Sequence, residues 1–181
     1  MSGEHWISTY TGRRFDLIDP QPETICIRDI VQGLSHCCRF TGQVSRFYSV
    51  AEHSVNVAFL LPDHLRMIGL IHDAAEAYYG DVNTVLKSLL PDYKALEKRA
   101  QAVIYDKYIG RAPDPDECLA LKRMDLRMLG AEARVLLAEG GADWRCLDGV
   151  EIPDVPVIGQ RPDVARTAWL REWRLAGGNV E

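Results

Sequence analysis

From about Arg28 onward the apolar positions of the chain fall at helical spacing. Ile30, Val31, Leu34 and Cys38 follow a three-to-four-residue step, which lines them along one stripe of a helix. The stretch TGQVSRFYSV interrupts the pattern and reads as a loop or short strand. Ser49 and Glu52 then form a capping-box signature, the serine accepting an orphan N–H and the glutamate reaching back to the cap. A helix is predicted from there to about Leu61. Pro62 and Asp63 open the next, predicted to run unbroken to about Tyr79, with Gly80 as its stop. A short helix is predicted over 84–89. After Pro91, the residues Tyr93, Leu96, Ala100, Val103 and Tyr108 mark another stripe. Asp114, Pro115 and Glu117 give the start of the longest helix, with Asp as cap and Pro at the first position, expected to end near Gly140 and Gly141. PDVARTAWLREW reads as a last helix.

Strand signals are few. WISTYTGRRFDLI alternates around Thr11 and Gly12 and predicts a small hairpin. DGVEIPDVPVIGQ is extended and Pro-rich, with one edge strand as its expected content. The fold class that follows is all-α: a helical bundle with a small β-hairpin element. At 181 residues and 47% apolar composition, a single domain over 1–181 has enough core. A resemblance to a known family covers 25–137 of it, and 141–181 is expected to be an extension packing on that part.

Charge and cysteine content narrow the function. A net charge of −5 gives no overall basic field for a nucleic-acid polymer. Cys26, Cys37, Cys38, Cys118 and Cys146 are odd in number and contain no Cys-x-x-Cys pair, so a disulfide framework or structural zinc site is not expected. Reduced cysteines and the lack of a secretory signal fit the cytoplasm. No apolar run approaches the roughly 18–20 residues of a membrane span.

The chemistry lies in polar residues on inner stripes. His53 sits among Val50, Val57 and Leu60; His72 among Leu65, Ile68, Ala75 and Tyr79; Asp125 and Glu132 among Leu121, Met128 and Val135. One buried histidine is ordinarily satisfied by a backbone carbonyl, and a lone Asp125 could pair with Arg123, Arg127 or another cation. Together they are harder to dismiss, because buried carboxylates are expensive unless paired, hydrogen-bonded or coordinated. A divalent metal would satisfy two imidazoles and two carboxylates at once. His72 and Asp73 point about 100° apart on a helix but could still converge on an ion beside it. Glu76 shares their face and could aim at a water next to such an ion. Activated water beside a carboxylate suits hydrolysis at neutral pH.

His53, the HD pair at His72 and Asp73, and the distant Asp125 in LKRMDLRML resemble the HD-domain metal-dependent phosphohydrolases. HDAAEAYYGD followed by Lys87, and Arg39-Phe40 upstream of SVAEHSVNVA, resemble the 5′-deoxynucleotidases of that superfamily. There an Arg-Trp pair precedes the first histidine, so Phe40 is a departure. The resemblance implies that His53, His72, Asp73 and Asp125 bind one divalent transition metal, with Co²⁺, Mn²⁺, Zn²⁺ and Fe²⁺ all compatible and Mg²⁺ as well. It implies that Glu76 positions or deprotonates the attacking water, and that Asp81 sits near the sugar or scissile phosphate. Arg39 would neutralise phosphate oxygens, Phe40 would pack on the substrate, and Lys87 would add charge. The implied substrate is a deoxynucleoside 5′-monophosphate. The alternatives are a deoxynucleoside triphosphate, as in compact phage-type triphosphohydrolases, and an inactive domain that only binds nucleotide. Relatives of this kind assemble, so a homodimer or higher homo-oligomer is the implied state, with neither nucleic-acid polymer nor membrane as partner.

Other candidates have plainer readings. His36, Cys37 and Cys38 are neighbours that do not share a helix face. His64 at a helix start reads as exposed, and Lys122 and Arg127 as solvated flanks. Arg46 and Tyr48 read as surface and packing. Glu132 is expected to pair with a core arginine. Trp144, Trp169 and Trp173 read as anchors of the C-terminal part. No Walker-type loop or Gly-x-Ser-x-Gly elbow is present.

Overall fold

The computed structural model of the protein describes residues 5–180. A two-stranded antiparallel hairpin, β1 (Trp6–Ser8) and β2 (Arg14–Asp16), pairs Trp6 with Asp16. Eight helices follow: α1 (Ile27–His36), α2 (Val50–Leu60), α3 (Arg66–Ile71), α4 (Glu76–Tyr79), α5 (Thr84–Ser88), α6 (Pro91–Ile109), α7 (Pro115–Leu136) and α8 (Pro162–Leu175). The architecture is mostly helical with one small sheet, as the hydrophobic periodicity predicts. No helix among the described residues is long and apolar enough to cross a membrane.

α2 lies between two apolar clusters. Its Val50, Ala51 and Ala58 join Ile30, Leu34, Leu70, Ile71 and Trp169 on one side. Its Val57, with Leu61 just past its end, joins Tyr48, Ile68, Met128 and Leu136 on the other. Phe15 of the hairpin enters the first cluster and stacks on Tyr78 with ring centroids 3.8 Å apart. Trp169 and Trp173 are buried and anchor α8, whereas Trp144 is only half-buried, against Phe40.

Four local expectations change. The helix expected over 63–79 is in pieces: a 3-10 turn at Asp63–Leu65, then α3, a tight turn at 72–75, and α4. A side chain inserted from α6 holds the break open, since Gln101 takes both the Ala75 N–H and the Ile71 carbonyl. The capping box at Ser49 is only half made. Ser49 Oγ accepts from the Glu52 N–H at 3.1 Å, but the Glu52 carboxylate turns away to take the N–H groups of Ile158, Gly159 and Gln160 at 2.9, 3.1 and 2.6 Å. Three donors outweigh one. Residues 150–161 form no strand; this segment is held by Glu52 and by carbonyl bonds to Arg46 and Asn56. α7 stops at Leu136 rather than near Gly140, and the buried residue at its end is Leu136, with Val135 at 43% exposure.

α1 and α4 meet at Gly33. A Cβ built there would lie 2.6 Å from the Ala77 carbonyl oxygen and 2.7 Å from its Cα, so only glycine lets the two backbones approach this closely. Gly33→Ala is expected to cost about 1–3 kcal/mol, the usual range for overpacking. Urea denaturation measures it, and an unchanged midpoint would dismiss the contact as a constraint.

Candidate metal centre

His53 is fully buried on α2. Its Nδ1 donates to Glu132 Oε1 of α7 at 2.6 Å. His72 follows α3, and its Nδ1 donates to the Gly69 carbonyl at 2.7 Å. A carboxylate and a carbonyl can only accept, so both Nδ1 atoms carry the proton. In the neutral rings the two Nε2 atoms then present lone pairs, and they face each other at 3.3 Å. Asp73 Oδ2 stands 3.2 Å from His72 Nε2 and 3.7 Å from His53 Nε2. From α7, Asp125 brings Oδ1 to 3.4 Å from His53 Nε2, while Lys122 holds its Oδ2 at 2.8 Å. Lys122 is a solvated flank, as expected, and is also an ion-pair partner of Asp125.

These spacings fit a single ion. Donors about 2.0–2.2 Å from a metal at tetrahedral or octahedral angles lie roughly 2.9–3.6 Å from each other. His53, His72 and Asp73 could hold an ion together, and Asp125 approaches from the opposite helix. Each histidine also has the outer hydrogen bond that fixes a metal-binding ring. For His53, burial and the charge of Arg39 favour the neutral ring, but Glu132 and Asp125 outweigh them and push its pKa up to about 9. The pocket thus favours positive charge at that nitrogen.

The other predicted residues gather at the rim. Glu76, at the start of α4, is 7% exposed, and its Oε2 has no hydrogen-bond partner among the described residues. Burial, reinforced by the charges of Asp73 and Asp81, holds its pKa well above the ordinary carboxylate range. Lys87 Nζ lies 3.6 Å from Glu76 Oε1 but is bonded to Glu97 at 2.7 Å. Asp81 follows Gly80, whose positive φ of 82° ends α4, and burial raises its pKa too. Arg39 reaches the site through an antiparallel bridge between Cys38 and Ser49. Its Nε donates to Glu132 Oε2 at 3.1 Å, and its Nη1 is 3.7 Å from Asp73 Oδ2. Phe40 and Thr41 adopt left-handed φ values of 56° and 55°, each a strain of roughly 1–2 kcal/mol. This turn sets the Phe40 ring 5.4 Å from the Arg39 guanidinium and 6.2 Å from Trp144. His36 is exposed, with Nδ1 2.9 Å from the Gln32 carbonyl, and His64 is exposed as well.

No family model matches the chain. It is 41% identical over 145 residues to the uncharacterized protein YfdR of Escherichia coli (strain K12), covering 80% of each. The chain belongs to the YfdR family. It is also 36% identical over 113 residues to an uncharacterized protein of Rhodobacter capsulatus, covering 57% of this chain and 58% of that one. A 5′-deoxynucleotidase of Vibrio atlanticus is 27% identical over 82 residues, covering 36% of this chain and 42% of that one.

Two residues matter more here than their sequence signals suggest. Glu132 was legible as a polar residue on an inner stripe, and it does meet an arginine. Its hold on His53 spans 79 positions of chain and has no local signature. Burial works to raise its pKa, but the charges of Arg39 and His53 and the His53 bond together keep it low, hence ionised. Glu132→Gln is expected to weaken Mn²⁺ or Co²⁺ binding about 10–100-fold, the usual cost of removing an outer partner, as read by calorimetric titration. Glu52, next to His53, pins the C-terminal segment to the same helix.

Cys37 lies beside the site, its Sγ accepting the Asp81 N–H at 3.2 Å. Burial pushes its thiol up to about 11, so the reactive thiolate is scarce at neutral pH and grows only as pH climbs toward that value. Iodoacetamide at pH 8 is expected to label the exposed Cys118 and Cys146 well before Cys37, as read by peptide mass spectrometry.

Proposed function

We propose that this protein is an HD-type metal-dependent phosphohydrolase of small nucleotides, with a deoxynucleoside 5′-monophosphate as its substrate. The observation that carries the reading is the meeting of His53 and His72 Nε2 atoms with Asp73 at mutual distances of 3.2–3.7 Å, with Asp125 beside them and the unpaired oxygen of Glu76 nearby. The partial likeness to a 5′-deoxynucleotidase supports the same reading.

His53, His72, Asp73 and Asp125 would hold a divalent ion, which would supply Lewis-acid polarisation of a phosphoryl oxygen and lower the pKa of water. The protein's own groups do the rest. Glu76 has a raised proton affinity and a free oxygen, which suits a group that takes a proton from the attacking water and returns one to the leaving oxygen. Arg39 holds a fixed charge at the pocket wall, where it opposes the negative charge of a transferring phosphoryl group. Asp81 would face the sugar. Arg39 and Lys87 already face Glu132 and Glu97, and such neutralised cations suit a monophosphate better than a triphosphate.

A panel of deoxynucleoside mono- and triphosphates with Mn²⁺ or Co²⁺, read by chromatography, tests the reading. Phosphate release from a monophosphate is expected. Tripolyphosphate release would move the substrate to the triphosphates, and no turnover by metal-loaded protein would reduce the protein to a binding module. Asp73→Ala is expected to lose both metal binding and turnover. Glu76→Gln is expected to keep the metal and lose about 10²–10⁴-fold in rate; loss of the metal in that variant would refute the role given to Glu76.

A further inference from the structure

We infer that Gln101 is a positioning residue for the metal centre: its side-chain amide, inserted into the helix that carries His72 and Asp73, sets the angles at which these two and Glu76 project. The inference rests on the metal-centre reading above.

In a continuous α-helix the Ala75 N–H would bond to the Ile71 carbonyl. Here Gln101 Oε1 accepts the Ala75 N–H at 3.0 Å, and Gln101 Nε2 donates to the Ile71 carbonyl at 2.8 Å. A primary amide offers the same donor and acceptor as a peptide group, so it bridges the parted ladder with both ends satisfied. Around it the backbone tightens to three-residue steps: Ala74 N–H to Ile71, Glu76 to Asp73, Ala77 to Ala74 and Tyr78 to Ala75, at 2.9–3.2 Å. The neighbouring carbonyl of Leu70 is taken by Trp169 Nε1 of α8 at 3.1 Å, and that of Gly69 by His72 itself.

Helix propensity does not call for this break. The residues from Leu70 to Tyr79 include neither Pro nor Gly and contain four alanines or glutamates in a row at 74–77, among the best helix formers. Side chains hold the break open, and Gln101 of α6 takes both groups of the Ile71–Ala75 rung. Its consequence is angular. Three-residue steps turn about 120° per residue rather than about 100°, and they eclipse positions i and i+3. That sets Asp73 and Glu76 in line, one a ligand and the other the free carboxylate beside it. A closed ladder would swing them out of line by roughly 60°.

The test compares Gln101→Met, which keeps the volume and removes the amide, with Gln101→Glu, which keeps the acceptor for Ala75 and removes the donor to Ile71. Mn²⁺ and Co²⁺ affinities are read by calorimetry, and apo-protein melting and helicity by circular dichroism. Gln101→Met is expected to lose about 10–100-fold in metal affinity while the apo protein melts no lower and gains helical signal, because Ala75 can bond to Ile71 directly. Gln101→Glu is expected to fall between it and the wild type. A purely structural glutamine would instead lower the apo melting temperature and leave metal affinity at wild-type strength in folded protein; that result overturns the inference. Wild-type protein that binds neither ion would overturn the metal-centre reading and this role with it, whereas tight binding by wild type and Gln101→Met alike overturns the role of Gln101 alone.

Discussion

Glu132 carries a negative charge into a place that water does not reach. A buried ionised carboxylate is tolerated only if its oxygens are fully engaged, and here Arg39 takes one oxygen and His53 the other. Much of the site's order follows from this. Arg39 has to be delivered from the loop after α1, and the bridge between Cys38 and Ser49 delivers it. His53 has to turn Nδ1 toward α7, which leaves Nε2 pointing at His72 and Asp73. Asp125, two turns before Glu132 on α7, then meets that Nε2. One helix thus grips both nitrogens of a single ring.

The candidate site residues were readable because burial makes polar side chains conspicuous. His53, His72, Asp125 and Glu132 each break an apolar stripe, and a break in a stripe needs only local spacing to be seen. What each one touches was not readable. The pairing of Arg39 with Glu132 joins positions 93 residues apart, and no periodicity carries that information. Helix phase was also only locally reliable: Val135 continues the stripe on paper, yet α7 ends with Leu136 as its buried residue. The apolar run before His72 predicts a helix correctly, but its unbroken continuation to Tyr79 fails because the side chain that bridges the break is on α6. Glu52 fails as a capping partner for a related reason, since its donors come from residues more than 100 positions away. Pro153 and Pro156 remove backbone donors from the segment expected to form an edge strand, and side chains hold it in place of a sheet.

The grip of Glu52 on residues 158–160 also fixes an order of events in time. His53 is its chain neighbour, and the carbonyl of Leu70, just before His72, waits for the indole of Trp169. Both supports are synthesised about 100 residues after the groups they hold. Until residues 158–169 have emerged from the ribosome, Glu52 is a carboxylate without its three donors, and α2 and α3 lack the surface that α8 later covers. The candidate ligands His53, His72 and Asp73 therefore reach their final geometry only once residues 158–169 have folded back onto α2 and α3.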